Sequence, residues 1–94
     1  MIVVHDLNLT IQAAPTLWMG RVGDHGSIAI HFFRWGTLTV RVSYTSDDPN
    51  AEGSEIVFES PIDEDENAPG REGVSCIGEA SMKEALQNVC SFVP

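Results

Sequence analysis

Between residues 27 and 44, apolar and polar positions alternate through two runs of strand length. Ile28, Ile30 and Phe32 alternate with Ala29, His31 and Phe33. Beyond Arg34-Trp35-Gly36, Leu38, Val40 and Val42 alternate with Thr39, Arg41 and Ser43. A period of two marks strands with one buried face. The intervening three residues end in glycine, which suits a hairpin loop whose last residue takes a positive φ. That loop pairs Phe33 with Thr37 and so sets the register: Phe32 faces Leu38, Ile30 faces Val40 and Ile28 faces Val42. All six apolar side chains then share one face, and a one-residue slip would oppose apolar to polar throughout. The other face carries Ala29, His31, Phe33, Thr39 and Arg41, and Phe33 keeps it from being a purely solvent face.

The flanking segments extend the pattern. Leu7, Leu9 and Ile11 alternate with Asn8, Thr10 and Gln12, predicting a half-buried strand within residues 2–12, ended by Ala13-Ala14-Pro15 because proline cannot donate to a ladder. The short apolar run TLWMGRV, residues 16–22, predicts a second strand antiparallel to the first, with Trp18 in the core. Gly23-Asp24-His25-Gly26 is a turn cluster leading into the hairpin. A polar loop at 46–54 separates the hairpin from EIVFE, residues 55–59, a fifth strand. Residues 74–77 read either as a last short strand or as an extended entry to a helix.

Near the C-terminus the period changes. Ser81, with Glu84 three residues on, has the form of a capping box, in which the serine accepts from the Glu84 amide and the glutamate returns to the serine amide. Met82, Ala85, Leu86, Val89, Cys90 and Val93 follow at helical spacing and predict a helix over 82–93. About eleven residues make a marginal helix by themselves, so the apolar hairpin face is its expected support. The prediction is a single α+β domain over 1–94: an antiparallel sheet of about five strands, a meander with the hairpin 27–44 at its centre, and one C-terminal helix on one face.

Charge changes the picture more than composition does. Fourteen acids against five bases give a net charge of −9 over 94 residues. Residues 1–46 carry Asp6 and Asp24 against Arg21, Arg34 and Arg41, a net of +1; residues 47–94 carry twelve acids against Arg71 and Lys83, a net of −10. The acids concentrate in two loops, 47–54 and 61–73, the second with four in succession (Asp63, Glu64, Asp65, Glu66) and read as mobile. Such a field opposes direct binding to nucleic acid or to an anionic membrane and favours a basic partner, of which a nucleic-acid-binding protein is a natural example. The alternative is that the charge serves solubility alone. No run of eighteen apolar residues suggests a membrane span, MIVVHDLNL lacks the basic and long apolar regions of a secretion signal, and two cysteines in that context read as reduced thiols, so a cytoplasmic location is expected.

Catalytic and metal chemistry find little support. Asp63, Asp65 and Asn67 match the first ligand spacings of an EF-hand loop, but Ala68 stands where glycine is required and Val74 where the bidentate glutamate belongs. His5, His25 and His31 show no local ligand spacing. Cys90 lies on the apolar stripe, and a disulfide between Cys76 and Cys90 would need the helix to double back on 74–77. No nucleophile elbow, phosphate loop or Cys-x-x-Cys occurs. No cofactor is expected. Trp35 beside Arg34 at the hairpin tip is the odd placement: it either folds back over the sheet or serves as an anchor, since Trp and Arg dominate interface hot spots.

Three functional classes follow. The first is a non-enzymatic inhibitor that occupies a basic surface of another protein, of the phage anti-defence (anti-CRISPR-like) or toxin-immunity type, with Asp47, Asp48, Glu52, Asp63, Glu64, Asp65 and Glu66 steering association and Phe33, Arg34 and Trp35 supplying the anchor. The second is a structural or accessory subunit that forms a homodimer through Phe33, Trp35 and Ala29 on the hairpin's back face. The third is a small enzyme with a composite site placing His31 or His5 beside Cys76.

Overall fold

A computed structural model of the chain describes residues 1–11, 16–33, 37–61 and 78–94, with Phe33 in its backbone alone. Strands β1 (Ile2–Ile11), β2 (Thr16–Val22), β3 (Gly26–Phe33), β4 (Thr37–Ser43) and β5 (Glu55–Pro61) are followed by helix α1 (Glu79–Ala85) and strand β6 (Cys90–Phe92). They form one curled sheet in the order β5-β4-β3-β2-β1-β6. The first five strands are an antiparallel meander, because hairpin-length connections place sequence neighbours side by side.

The central hairpin has the register its alternation predicts, with Phe33 opposite Thr37, Phe32 opposite Leu38, Ile30 opposite Val40 and Ile28 opposite Val42. All six residues of the predicted apolar face are buried, and Trp18, opposite Ile30, joins them. Val4 and Val22 complete the strand side of the core, and Met82 of α1 and Leu86, the residue that caps its C-terminus, close it. The loop residues 34–36 lie outside the described residues, as do 12–15 and 62–77.

Two expectations are corrected. The helix spans Glu79–Ala85, not 82–93. Its N-cap is Gly78, which provides no side-chain hydrogen bond, and Ser81 lies inside the helix, so the capping box does not form. Residues 88–93 (Asn, Val, Cys, Ser, Phe, Val) all come from the weak half of the helix-propensity ranking. They gain more by pairing: Val89 O accepts from Ile2 N at 2.9 Å, and Val93 N donates to Val4 O at 2.9 Å. Cys90–Phe92 thereby becomes β6, parallel to Ile2–Val4, a sixth strand that the helical reading concealed. Cys90 is buried as expected, but as a strand residue, and Val93 is exposed. The short helix is fastened at both ends of its outer face. Lys83 lies 3.7 Å from Glu79 one turn earlier and 5.5 Å from the centre of the Phe92 ring, each contact worth some tenths of a kcal/mol to about 1 kcal/mol.

β1 is irregular. Its register against β2 shifts between His5 and Asn8 and again between Leu9 and Ile11. Asp6 sits at the first shift with φ of 53°, a left-handed conformation that aspartate tolerates better than most residues. The irregularity lets one half of the strand serve β6 and the other half β2. Among the described residues no helix is long and apolar enough to cross a membrane.

Candidate protein-binding surface

Asp47, Asp48 and Glu52 occupy the connection between β4 and β5, and all three are exposed. A polar loop of this length keeps one shape only if its backbone groups find partners. Here they do. Ser46 Oγ accepts from Asp48 N at 3.1 Å, and Asp48 Oδ1 accepts from Asn50 N at 2.9 Å. Asp48 O then accepts from Ala51 N at 3.0 Å, and Ala51 O from Ser54 N at 3.0 Å. The loop is pinned to the sheet by Ser27 Oγ, which donates to Ser46 O at 2.8 Å, and by Arg41 Nη1, which donates to Ser54 Oγ at 3.3 Å. Asp48 thus holds the loop's shape, whereas the Asp47 and Glu52 carboxylates accept no hydrogen bond among the described residues and point their charge at solvent.

The pairing of Ser27 with Ser43 brings this loop beside the β2–β3 turn, and a polar recess of about 450 Å³ opens between them, lined by Arg21, Asp24, His25, Thr45, Ser46 and Asp47. Arg21 also borders a second recess of about 290 Å³ with His5, Asp6 and Asp24, and its Nη1 lies 3.9 Å from Asp6 Oδ2. Both groups of that pair are more than half exposed, so it contributes little to stability. The sequence pattern assigns Asp24, His25 and Arg21 to no contact surface. The signal was nevertheless present, because a register that sets Ser27 against Ser43 carries the segments flanking them to the same end of the sheet.

Asp47, Asp48 and Glu52 precede β5, and the second acidic run, 61–73, begins at the last residue of that strand. Asp63, Glu64, Asp65 and Glu66 lie outside the described residues, as do Arg34 and Trp35. Thr37 pairs with both Phe33 and Pro61, so the hairpin tip and the second acidic segment are fed from one end of the sheet. Glu55 and Glu59 stand exposed along β5 between the two ends. Ala29, which the homodimer reading needs at an interface, is buried within its own sheet.

The composite His/Cys site requires Cys76, which lies outside the described residues, and Cys90 is the one cysteine the structure describes. Burial pushes the Cys90 thiol up to about 11, so it is protonated at neutral pH and is not a nucleophile. Burial also lowers the pKa of His31 from the ordinary histidine value, because desolvation disfavours the charged imidazolium. Cys90 is a free thiol, and Cys76 lies outside the described residues. Among the described residues no three His, Cys, Asp or Glu side chains are grouped to hold a metal ion. Cys90 should resist alkylation at pH 8 until denaturant is added; rapid stoichiometric labelling of the native protein at that position would contradict its burial. Because the folded thiol titrates above the unfolded one, the Cys90 contribution to stability is present below pH 9 and lost as pH rises toward 11.

Comparison with protein-family models, with curated proteins and with solved structures finds no match.

Proposed function

We propose that the chain is a small non-enzymatic protein-binding protein, an inhibitor that occupies a basic, nucleic-acid-binding surface of its partner, of the phage anti-defence (anti-CRISPR-like) or toxin-immunity type. The observation that carries this reading is the ordered acidic end of the sheet. Asp47 and Glu52 project from a loop held by its own hydrogen bonds, with Asp24 across the recess. Carboxylates fixed on a rigid scaffold lose little conformational freedom on binding, so they can stand in for phosphates at low entropic cost. The recess admits a lysine or arginine side chain of the partner between Asp24 and Asp47. A net charge of −9 steers a basic partner from a distance. Phe33, Arg34 and Trp35, whose side chains lie outside the described part of the structure, would supply the anchor.

The test is a charge reversal in the ordered loop. Capture of a basic protein from a cytosolic lysate by the immobilised chain should weaken on the order of 100-fold in the D47K/E52K variant, because like charges across an interface cost several kcal/mol. It should weaken similarly when salt is raised. Binding that ignores both changes contradicts the reading. Reversing Asp63, Glu64, Asp65 and Glu66, which lie outside the described residues, tests the second acidic run separately.

A further inference from the structure

We propose that Asp6 is a positioning residue of the acidic surface. It holds the Arg21 guanidinium toward the second recess and so leaves the Asp24 and Asp47 carboxylates of the first to a cationic side chain of the partner. This role rests on the reading of the first recess as a receptor for a lysine or arginine.

Arg21 lines the first recess together with Asp24 and Asp47. A guanidinium there competes with an incoming cation for the same carboxylates. The Arg21 side chain is more than half exposed, so its position follows the charges within its reach. Three acidic side chains line the two recesses: Asp24 borders both, Asp47 the first alone and Asp6 the second alone. Arg21 Nη1 stands 3.9 Å from Asp6 Oδ2. The carboxylate that Arg21 meets is therefore the one that does not line the first recess.

The backbone of β1 explains how Asp6 reaches it. Arg21 lies opposite His5 in the β1–β2 ladder, and residues opposite one another share a face of the sheet. Successive residues of a regular strand point to opposite faces. A regular Asp6 would turn away from Arg21, toward the core that Val4 enters. Instead the ladder shifts register between His5 and Asn8, and Asp6 takes a left-handed φ of 53° within the shift. Irregularities of this kind re-aim a side chain. Asp6 is exposed, and its carboxylate comes round to the Arg21 side. A left-handed non-glycine residue persists where the surrounding structure holds it and is a pointer to function. An exposed ion pair adds little to stability; the effect of this one is on where the guanidinium stands.

Binding of an acetylated, amidated tri-arginine peptide to the full chain at low salt tests this in a double-mutant cycle, read from the amide resonances of Asp24 and Asp47. Asp6→Asn removes the charge and keeps a residue that tolerates the left-handed backbone. It should weaken the peptide about two- to fivefold, the scale of an exposed ion pair. Arg21→Gln should strengthen it by a similar factor. The double variant should bind like Arg21→Gln alone, because Asp6 acts only through Arg21. A pure charge effect is additive: losing one charge of each sign returns the double variant to wild-type affinity, and that result overturns the proposal. The free protein gives a second readout. Asp6→Asn should shift the Asp24 and Asp47 amide resonances of the wild-type chain and leave those of the Arg21→Gln chain in place. Shifts absent from the first, or equal in both, also overturn it. No peptide binding by any of the four chains contradicts the recess reading, while the free-protein comparison still decides the role of Asp6.

Discussion

Replacing Trp18 with alanine should cost about 3–5 kcal/mol, the range found for deleting a large buried aromatic side chain. Trp18 is 2% exposed, faces Ile30 across the β2–β3 ladder and belongs to the single cluster that joins the sheet to α1. The helix has seven residues and cannot stand alone; Met82 and Leu86 hold it by resting on this cluster. A domain of this kind has roughly 5–15 kcal/mol in total, so the variant should unfold at a much lower urea concentration or fail to fold. Trp18→Phe, which keeps an aromatic ring, should retain most of the stability. A Trp18→Ala midpoint within about 1 kcal/mol of wild type would mean that the tryptophan is not the floor of this core.

The second large effect is expected at Gly26. A Cβ there would lie 2.5 Å from Ser43 O, 2.8 Å from Val22 O and 2.8 Å from Val22 Cγ2. Two of these atoms are backbone oxygens of the flanking strands, which cannot move without opening the sheet. Gly26→Ala should therefore cost at least the ~1–3 kcal/mol typical of overpacking. It should also loosen the acidic loop, because the neighbouring Ser27 hydroxyl anchors Ser46. Gly23→Ala is the informative comparison. A Cβ at Gly23 meets nothing within 4 Å, so its cost comes only from the positive φ of 59°, about 1 kcal/mol. Amide exchange across 44–54 should accelerate in Gly26→Ala and stay near wild type in Gly23→Ala. Equal effects would remove the steric account.

The hairpin was legible because two independent signals agreed, the alternation of Ile28 to Val42 and a glycine-ended three-residue connection. The C-terminal segment was not, because Cys90, Ser91 and Phe92 fit both a helical stripe and a strand alternation, and only the availability of the Ile2–Val4 edge decides between them. That availability is a property of tertiary structure, not of local pattern. The acids of the candidate surface were visible as two charged loops flanking the 55–59 strand, but the meeting of the first loop with Arg21 and Asp24 was not. Charge counted along a chain ignores that each strand reverses direction. The order of the 44–54 loop was likewise hidden, since Ser46, Asp48 and Ser54 read as generic turn residues until Ser27 and Arg41 are placed beside them.

The proposed binding role needs a rigid support and an acidic contact surface. The Trp18-centred core and the hydrogen-bonded loop meet those needs in turn. The most direct measurement is competition. The basic protein captured by the immobilised chain is incubated with duplex nucleic acid at fixed low salt, and the amount released is quantified. Our account predicts that nucleic acid displaces the partner in a concentration-dependent manner, because Asp24, Asp47 and Glu52 occupy the surface that phosphates would occupy. A ternary complex in which the partner holds nucleic acid and this chain at once would contradict it.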